Sequence, residues 1–278
     1  MIKKIMDKRN YIILFVIIVL IIWVIWVFFN KRDPYIKTFN YYGEKITFKV
    51  YDKVDYHDLT RDINNIYKKY EKANEISGKL SEDEKALIEY GKLVYYKTDG
   101  YVDITKGNNG SVKSDIESII IKDDKLVKDI DFNFDDIIGS YATNEVLYYF
   151  KQNNIKKYIV SENGDVTCGE YYGSGKYSVS IKDPADNSTL EIVSLENQAM
   201  ASRYDGEFKG VNPKTGKREN KYDGVVVISN DNLTANMLVN ALYLMDQDDG
   251  EKLAEDYNSE ALWIIDGKIV KTDGFNQK

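Results

Sequence analysis

The outline of the chain follows from where its apolar residues recur. Tyr11–Phe29 is a run of nineteen consecutive apolar or aromatic residues, long enough to cross a bilayer as a helix. A core helix of that length would keep a polar stripe. Glu44–Tyr51 alternates Ile46, Phe48 and Val50 against Lys45, Thr47 and Lys49, the period of a half-buried strand. Asp58–Ala73 carries Ile63, Ile66, Tyr67 and Tyr70 at helical spacing. Ser81 and Glu84 form a capping-box signature for a second helix with Leu87, Tyr90 and Val94 on one side. Further strands are expected at Glu117–Lys122, Lys157–Ser161, Lys176–Asp183 and Gly224–Ser229, and a helix over Asn232–Leu244. Ala261–Ile265, Asp266-Gly267 and Lys268–Val270 read as a hairpin with a type I′ turn. Strands and helices interleave without a repeat, which predicts an α+β fold of mixed sheet and helix layers.

The flanks of the apolar run give it an orientation. Lys3, Lys4, Lys8 and Arg9 outnumber Lys31 and Arg32, so the positive-inside rule puts the N-terminus in the cytoplasm. Residues 30–34 lack a small-residue cleavage site. The expected organisation is a cytoplasmic segment 1–10, a transmembrane signal anchor 11–29, a linker 30–40 and an extracytoplasmic domain 41–278. That is a single-pass protein of the cell membrane with its main domain outside.

Composition narrows the chemistry. The 278 residues include 38 basic and 45 acidic ones, a net charge of −7. Without residues 1–29, which hold four of the basic residues and one of the acidic, the balance is −10. That disfavours nucleic acid as a partner. One His and one Cys leave no material for His-rich metal sites, His-based triads or an intramolecular disulfide.

Candidate chemistry centres on Val211–Lys217, the run Val-Asn-Pro-Lys-Thr-Gly-Lys. Asn212 before Pro213 and a later Gly216 make a rigid turn. A strand and a helix follow, a junction of the kind that holds ligands. Lys214-Thr215-Gly216 with Ser161-x-Asn163 is similar to motifs of the penicillin-recognising serine enzymes, but no Ser in residues 1–160 is followed three places later by Lys, so their nucleophile is missing.

A second resemblance covers residues 40–275. Gly43 before the first strand, Thr98-Asp-Gly-Tyr-Val-Asp103, Asn163-Gly164-Asp165 with Gly169, Asp183-Pro184, Tyr204, the turn at 211–217 and the closing Asp273-Gly274-Phe275 occur in the order found in the FAD:protein FMN transferases. The chain resembles this ApbE family as a divergent member. The resemblance implies an α+β domain that takes FAD, uses Mg²⁺ against its pyrophosphate, and passes FMN to a Thr or Ser of a flavoprotein acceptor with release of AMP. By position it assigns nucleotide binding to Tyr42, Ser140, Asp165, Tyr204, Lys209, Asn212 and Thr215, and the metal to Gly139, Asn236 and Asn240.

Several of those positions carry altered chemistry. Asp135-Asp136 stands where the family has a glycine pair, Gly139 where it has Lys, and Lys209 where it has His. Asn236 and Asn240 replace an Asp and a Thr four residues apart. An amide oxygen is a hard ligand without charge, so a weaker hold on Mg²⁺ is implied. The segment Asn133–Ser140 also reads as an acidic helix N-cap. A catalytically inactive relative that holds a flavin or a protein partner is therefore a second expectation.

Overall fold

The structure, a computed structural model, describes residues 8–30, 33–105, 114–206, 211–219 and 221–275. A helix α1 (Lys8–Asn30) leads the chain. Its side chains are described for residue 11 and residues 13–23, and all are exposed. Among the described residues, no helix is long and apolar enough to cross a membrane.

The body is built on strands and helices in the order β1 (Tyr35–Tyr41), β2 (Glu44–Val50), α2 (Tyr56–Lys68), α3 (Glu82–Lys97), β3 (Ile121–Lys122), β4 (Lys125–Leu126), α4 (Ile138–Gln152), β5 (Tyr158–Glu162), β6 (Asp165–Cys168), β7 (Tyr177–Lys182), β8 (Thr189–Leu195), β9 (Gln198–Tyr204), β10 (Gly224–Ser229), α5 (Asn232–Leu242), α6 (Gln247–Asp256), β11 (Glu260–Ile265) and β12 (Lys268–Lys271). Eight of the strands form one antiparallel sheet in the order β1-β2-β5-β6-β9-β10-β11-β12. The α+β architecture is the expected one.

Strand alternation gives this sheet two different faces. Ile46, Phe48, Val50, Val160, Ala199, Ala201, Val225, Val227, Ala261 and Trp263 share the larger core with residues of the helices. Cys168, Met200, Val226, Ile228, Leu262 and Ile264 form a smaller core with Tyr177, Ile181, Val193 and Leu195 of the β7–β8 hairpin. Helix α5 packs across β9 and β10 and against α4, and so lies over the middle of the sheet.

Two-residue turns set several registers. Asn163 (φ 42°) and Gly164 (φ 92°) join β5 to β6, and Asp266 (φ 49°) and Gly267 (φ 70°) join β11 to β12, both in the left-handed region that a type I′ turn requires. The capping box at Ser81 and Glu84 is formed, and α3 begins beside it.

Other elements depart from the sequence expectations. The linker expected over 30–40 is largely strand: β1 pairs with β2 along its full length, from Tyr35 opposite Val50 to Tyr41 opposite Glu44. Phe39 and Tyr41 are buried in the larger core, and the turn is Tyr42-Gly43, with φ of 56° and 80°. A Tyr-Gly turn is not a familiar hairpin signal, which hid the strand before it. The strand expected at 117–122 is a 3-10 turn over Ile116–Ser118 followed by the short β3. The first helix of the domain ends at Lys68, before Ala73. The acidic N-cap expected near Asn133–Ser140 is absent, because the cap of α4 is Ile137 and no side chain bonds to the helix end.

Trp263 anchors the larger core from the centre of β11 and is fully buried. Replacing it with Ala is expected to lower stability by about 3–5 kcal/mol. A urea titration would show this as a lower midpoint at unchanged slope.

Candidate functional site

One end of the large sheet gathers charges that the core cannot accept. Glu44 begins β2, Glu162 ends β5, Asp165 begins β6 and Arg203 lies near the end of β9. The N-terminus of α4 and the middle of α5 lie against them. Ala199 and Ala201 face the helices, and by strand alternation Arg203 projects to that same face.

Arg203 is bound from several sides. Its Nη1 donates to Asp165 Oδ1 at 3.2 Å and to the Ser202 carbonyl at 2.7 Å, and Nε donates to Asn240 Oδ1 at 2.8 Å. The Asn236 amide is best satisfied with its oxygen toward Arg203, where it accepts from Nη2 at 2.7 Å and its nitrogen donates to the Asp136 carbonyl at 2.9 Å. Asn240 Nδ2 also donates to the Asp136 carbonyl, at 2.8 Å. Burial alone would make the guanidinium easier to deprotonate, but Asp165, Asp136 and Glu44 outweigh it and hold Arg203 above its ordinary pKa. The Ser202 amide donates to Asp165 Oδ1 at 2.8 Å, completing a bridge between β6 and β9.

Glu162 lies beside this pair. Burial, and then the nearby Asp165, push its carboxyl up to about 8. Its Oε2 accepts from Thr143 Oγ1 at 3.0 Å, and that hydroxyl also meets the Tyr67 hydroxyl at 2.6 Å. Gly139 leaves room for the carboxyl as it stands: a Cβ there would press on Glu162 Oε1 and shift it. The cavity bordered by Ser140, Thr143, Glu162, Asp165 and Asn232 has about 20 Å³, room for one water. Asn232 Oδ1 is buried with no hydrogen-bond partner among the described residues, which suits a water there.

The expected site residues fall into separate places. Asp165, Ser140, Gly139, Asn236 and Asn240 converge around Arg203 and Glu162. Ser140 Oγ donates to the Ile137 carbonyl at 3.0 Å and lies 3.0 Å from the Asn236 amide. Tyr42 sits in the β1–β2 turn and donates to the Tyr67 carbonyl at 2.6 Å. Its hydroxyl is held well above the ordinary range by burial and then by Glu162.

Asn212 and Thr215 belong to a second, self-contained turn. Asn212 Nδ2 donates to Glu219 Oε2 at 2.8 Å and Thr215 Oγ1 to Glu219 Oε1 at 2.7 Å. Those two bonds lower the Glu219 pKa. Lys214 reaches the segment at 98–103, bonding Asp99 Oδ2 at 2.6 Å and lying 4.2 Å above the Tyr101 ring. The two motifs thus meet, as neighbouring positions of one site would. Tyr204 projects to the opposite face of the sheet and packs on the smaller core. Lys209 lies outside the described residues.

Glu44, Asp136, Glu162 and Arg203 were not among the expected site residues. Arg203 had a sequence signal: a charged residue in phase with Ala199 and Ala201 needs a buried partner.

The donor set does not fit a divalent ion. Asn236 and Asn240 offer neutral oxygens, and both serve the guanidinium. Gly139 has no side chain and faces Glu162. Among the described residues no group of three or more His, Cys, Asp or Glu side chains could hold a metal.

The pattern of the ApbE family matches residues 108–263, more than half of the chain. The chain belongs to the ApbE family. The flavin transferase ApbE of Vibrio cholerae superposes with a TM-score of 0.70 at 18% identity, over 86% of this chain and 96% of that one. The apo flavinyl transferase ApbE of Pseudomonas stutzeri gives 0.71 at 18% identity, over 88% and 98%. The ApbE protein of Thermotoga maritima gives 0.73 at 18% identity, over 88% and 100%. No curated protein sequence matches the chain. The ApbE-matched segment runs from before α4 into β11, and so includes Glu162, Asp165, Arg203, Asn236 and Asn240.

The raised Glu162 acid predicts a pH effect. Between its ordinary value of 4.5 and about 8, the folded chain binds more protons than the unfolded one, so stability falls as pH rises through that window. Glu162→Gln is expected to flatten this part of the stability profile, measured as denaturant midpoints from pH 4.5 to pH 9.

Proposed function

We propose that the protein is a membrane-anchored, extracytoplasmic flavin transferase of the ApbE type. In this reading it takes FAD, and a Thr or Ser hydroxyl oxygen of a flavoprotein acceptor attacks the FMN phosphorus. The bond to the AMP oxygen breaks, AMP leaves, and the hydroxyl proton passes to a base. The observation that carries the reading is that the family match contains five of the six elements of the charged cluster, α4, β5, β6, β9 and α5, and leaves out β2 with Glu44. The nucleotide would meet Arg203, whose side chain keeps 18% exposure. A guanidinium suits paired phosphate oxygens.

A second reading has its own support. The amides at Asn236 and Asn240, which bring no charge to a metal and already bond Arg203, favour a relative that holds a flavin or a partner without turning it over. Both readings separate in one measurement. The purified chain is incubated with FAD, with and without Mg²⁺, and assayed for AMP, FMN and retained flavin. The transferase reading expects AMP release, the scaffold reading expects retained intact FAD, and neither product nor retention would remove flavin from the account.

Membrane anchoring is supported by the apolar run Tyr11–Phe29 and by the exposed side chains of residues 13–23. Deleting residues 1–30 is expected to move the protein from the membrane fraction to the soluble fraction. In intact cells, added protease should cut the full-length domain. Protection of that domain would reverse the orientation.

A further inference from the structure

The surroundings of Arg203 are those of a cation site, and the cation is already part of the chain. Two amide oxygens one helical turn apart on α5, the Asp165 carboxylate on β6 and the Ser202 carbonyl converge on its guanidinium. We propose that Arg203 is the resident cation of this site: it excludes a divalent ion and offers its positive charge and remaining Nη2 hydrogen to a phosphate or diphosphate group. The identity of that ligand rests on the flavin-nucleotide reading above, whereas the exclusion of metal stands on the residues alone.

The argument is one of occupied donors. Mg²⁺ takes oxygens at about 2.0–2.1 Å in near-octahedral geometry and is reluctant to lose its waters. Here the Asn240 oxygen is 2.8 Å from Nε and the Asn236 oxygen 2.7 Å from Nη2. A metal using them would break both bonds and then sit beside a fixed positive charge. Asp165 could not compensate without giving up its pairing with Arg203 at 3.2 Å. Arg203 can meet a phosphate without giving up those bonds, because among the described residues one Nη2 hydrogen is not taken and its charge does not titrate in the working range. Glu162 stands nearby, but its carboxyl is pushed up to about 8, so at neutral pH it adds little negative charge against a phosphate.

The test reads metal and flavin separately on the full chain in detergent. Mn²⁺ binding is followed by electron paramagnetic resonance for the wild type, Arg203→Lys and the double variant Arg203→Gln with Asn236→Asp. The wild type and Arg203→Lys are expected to show no Mn²⁺ binding that Asn240→Ala removes, while the double variant gains such a site. FAD affinity, from flavin fluorescence, is expected to be equal in EDTA and in Mg²⁺ for the wild type. Arg203→Gln should weaken it at least about tenfold in EDTA, the loss of charge-assisted hydrogen bonds. Mn²⁺ bound by the wild type through Asn240, Mg²⁺-dependent FAD binding, or unchanged FAD affinity in Arg203→Gln would overturn the proposal. If no protein binds FAD under any condition, the flavin reading falls, and the Mn²⁺ titrations alone decide whether Arg203 excludes metal. If circular dichroism shows the double variant unfolded, the wild type and Arg203→Lys titrations decide.

Discussion

A guanidinium that cannot leave its strand governs the chemistry at this end of the sheet. Burying an ion pair costs desolvation, and the attraction repays it only where the remaining donors also find partners. Arg203 meets that condition through the Ser202 carbonyl and two α5 amides besides Asp165. The arrangement is only partly sealed, with 18% and 22% of the two side chains exposed. Asp165 therefore acts as an orienting group as much as a stabilising one. It fixes the fork against the two α5 amides.

The backbone places these partners before any ligand arrives. Asp231 caps α5 by accepting from the Thr234 amide at 2.8 Å, which sets where the helix begins. Positions 236 and 240 then fall one turn apart on the face that meets the sheet. The same two amides also bond the Asp136 carbonyl, so α5 is tied to the lead-in of α4. Movement of either helix would disturb Arg203, and a ligand bound there would feel the packing of both.

Much of the scaffold was legible because its signals are local. Ile46, Phe48 and Val50 alternate as a strand must, Ser81 and Glu84 can only cap, and Asn163-Gly164 and Asp266-Gly267 supply the left-handed residues of tight turns. Strand β1 was hidden because its turn uses Tyr42, a residue with no preference for that conformation. The cluster was harder to read, since it joins residues from β2, β5, β6, β9, α4 and α5 that share no spacing in the chain. Comparison by position picked Tyr204, one residue from Arg203. In a strand one residue is the difference between the two faces.

That displacement explains how the fold and its site could diverge independently. The turns and alternating strands that define an ApbE domain depend on backbone conformation and on which face is apolar, and neither changes when Asn stands at 236 or 240. The site depends instead on what strand ends present to one another. There, an arginine on β9 and a carboxylate on β6 can supply a fixed charge without altering any register. Gly139 shows the same economy: losing a side chain at the start of α4 makes room for Glu162, whose acid is then raised by the crowding it accepts. The substitutions are coupled, because Glu162 as a full anion beside Asp165 would compete for Arg203, whereas as a neutral acid it leaves the guanidinium to Asp165 and to the two α5 amides.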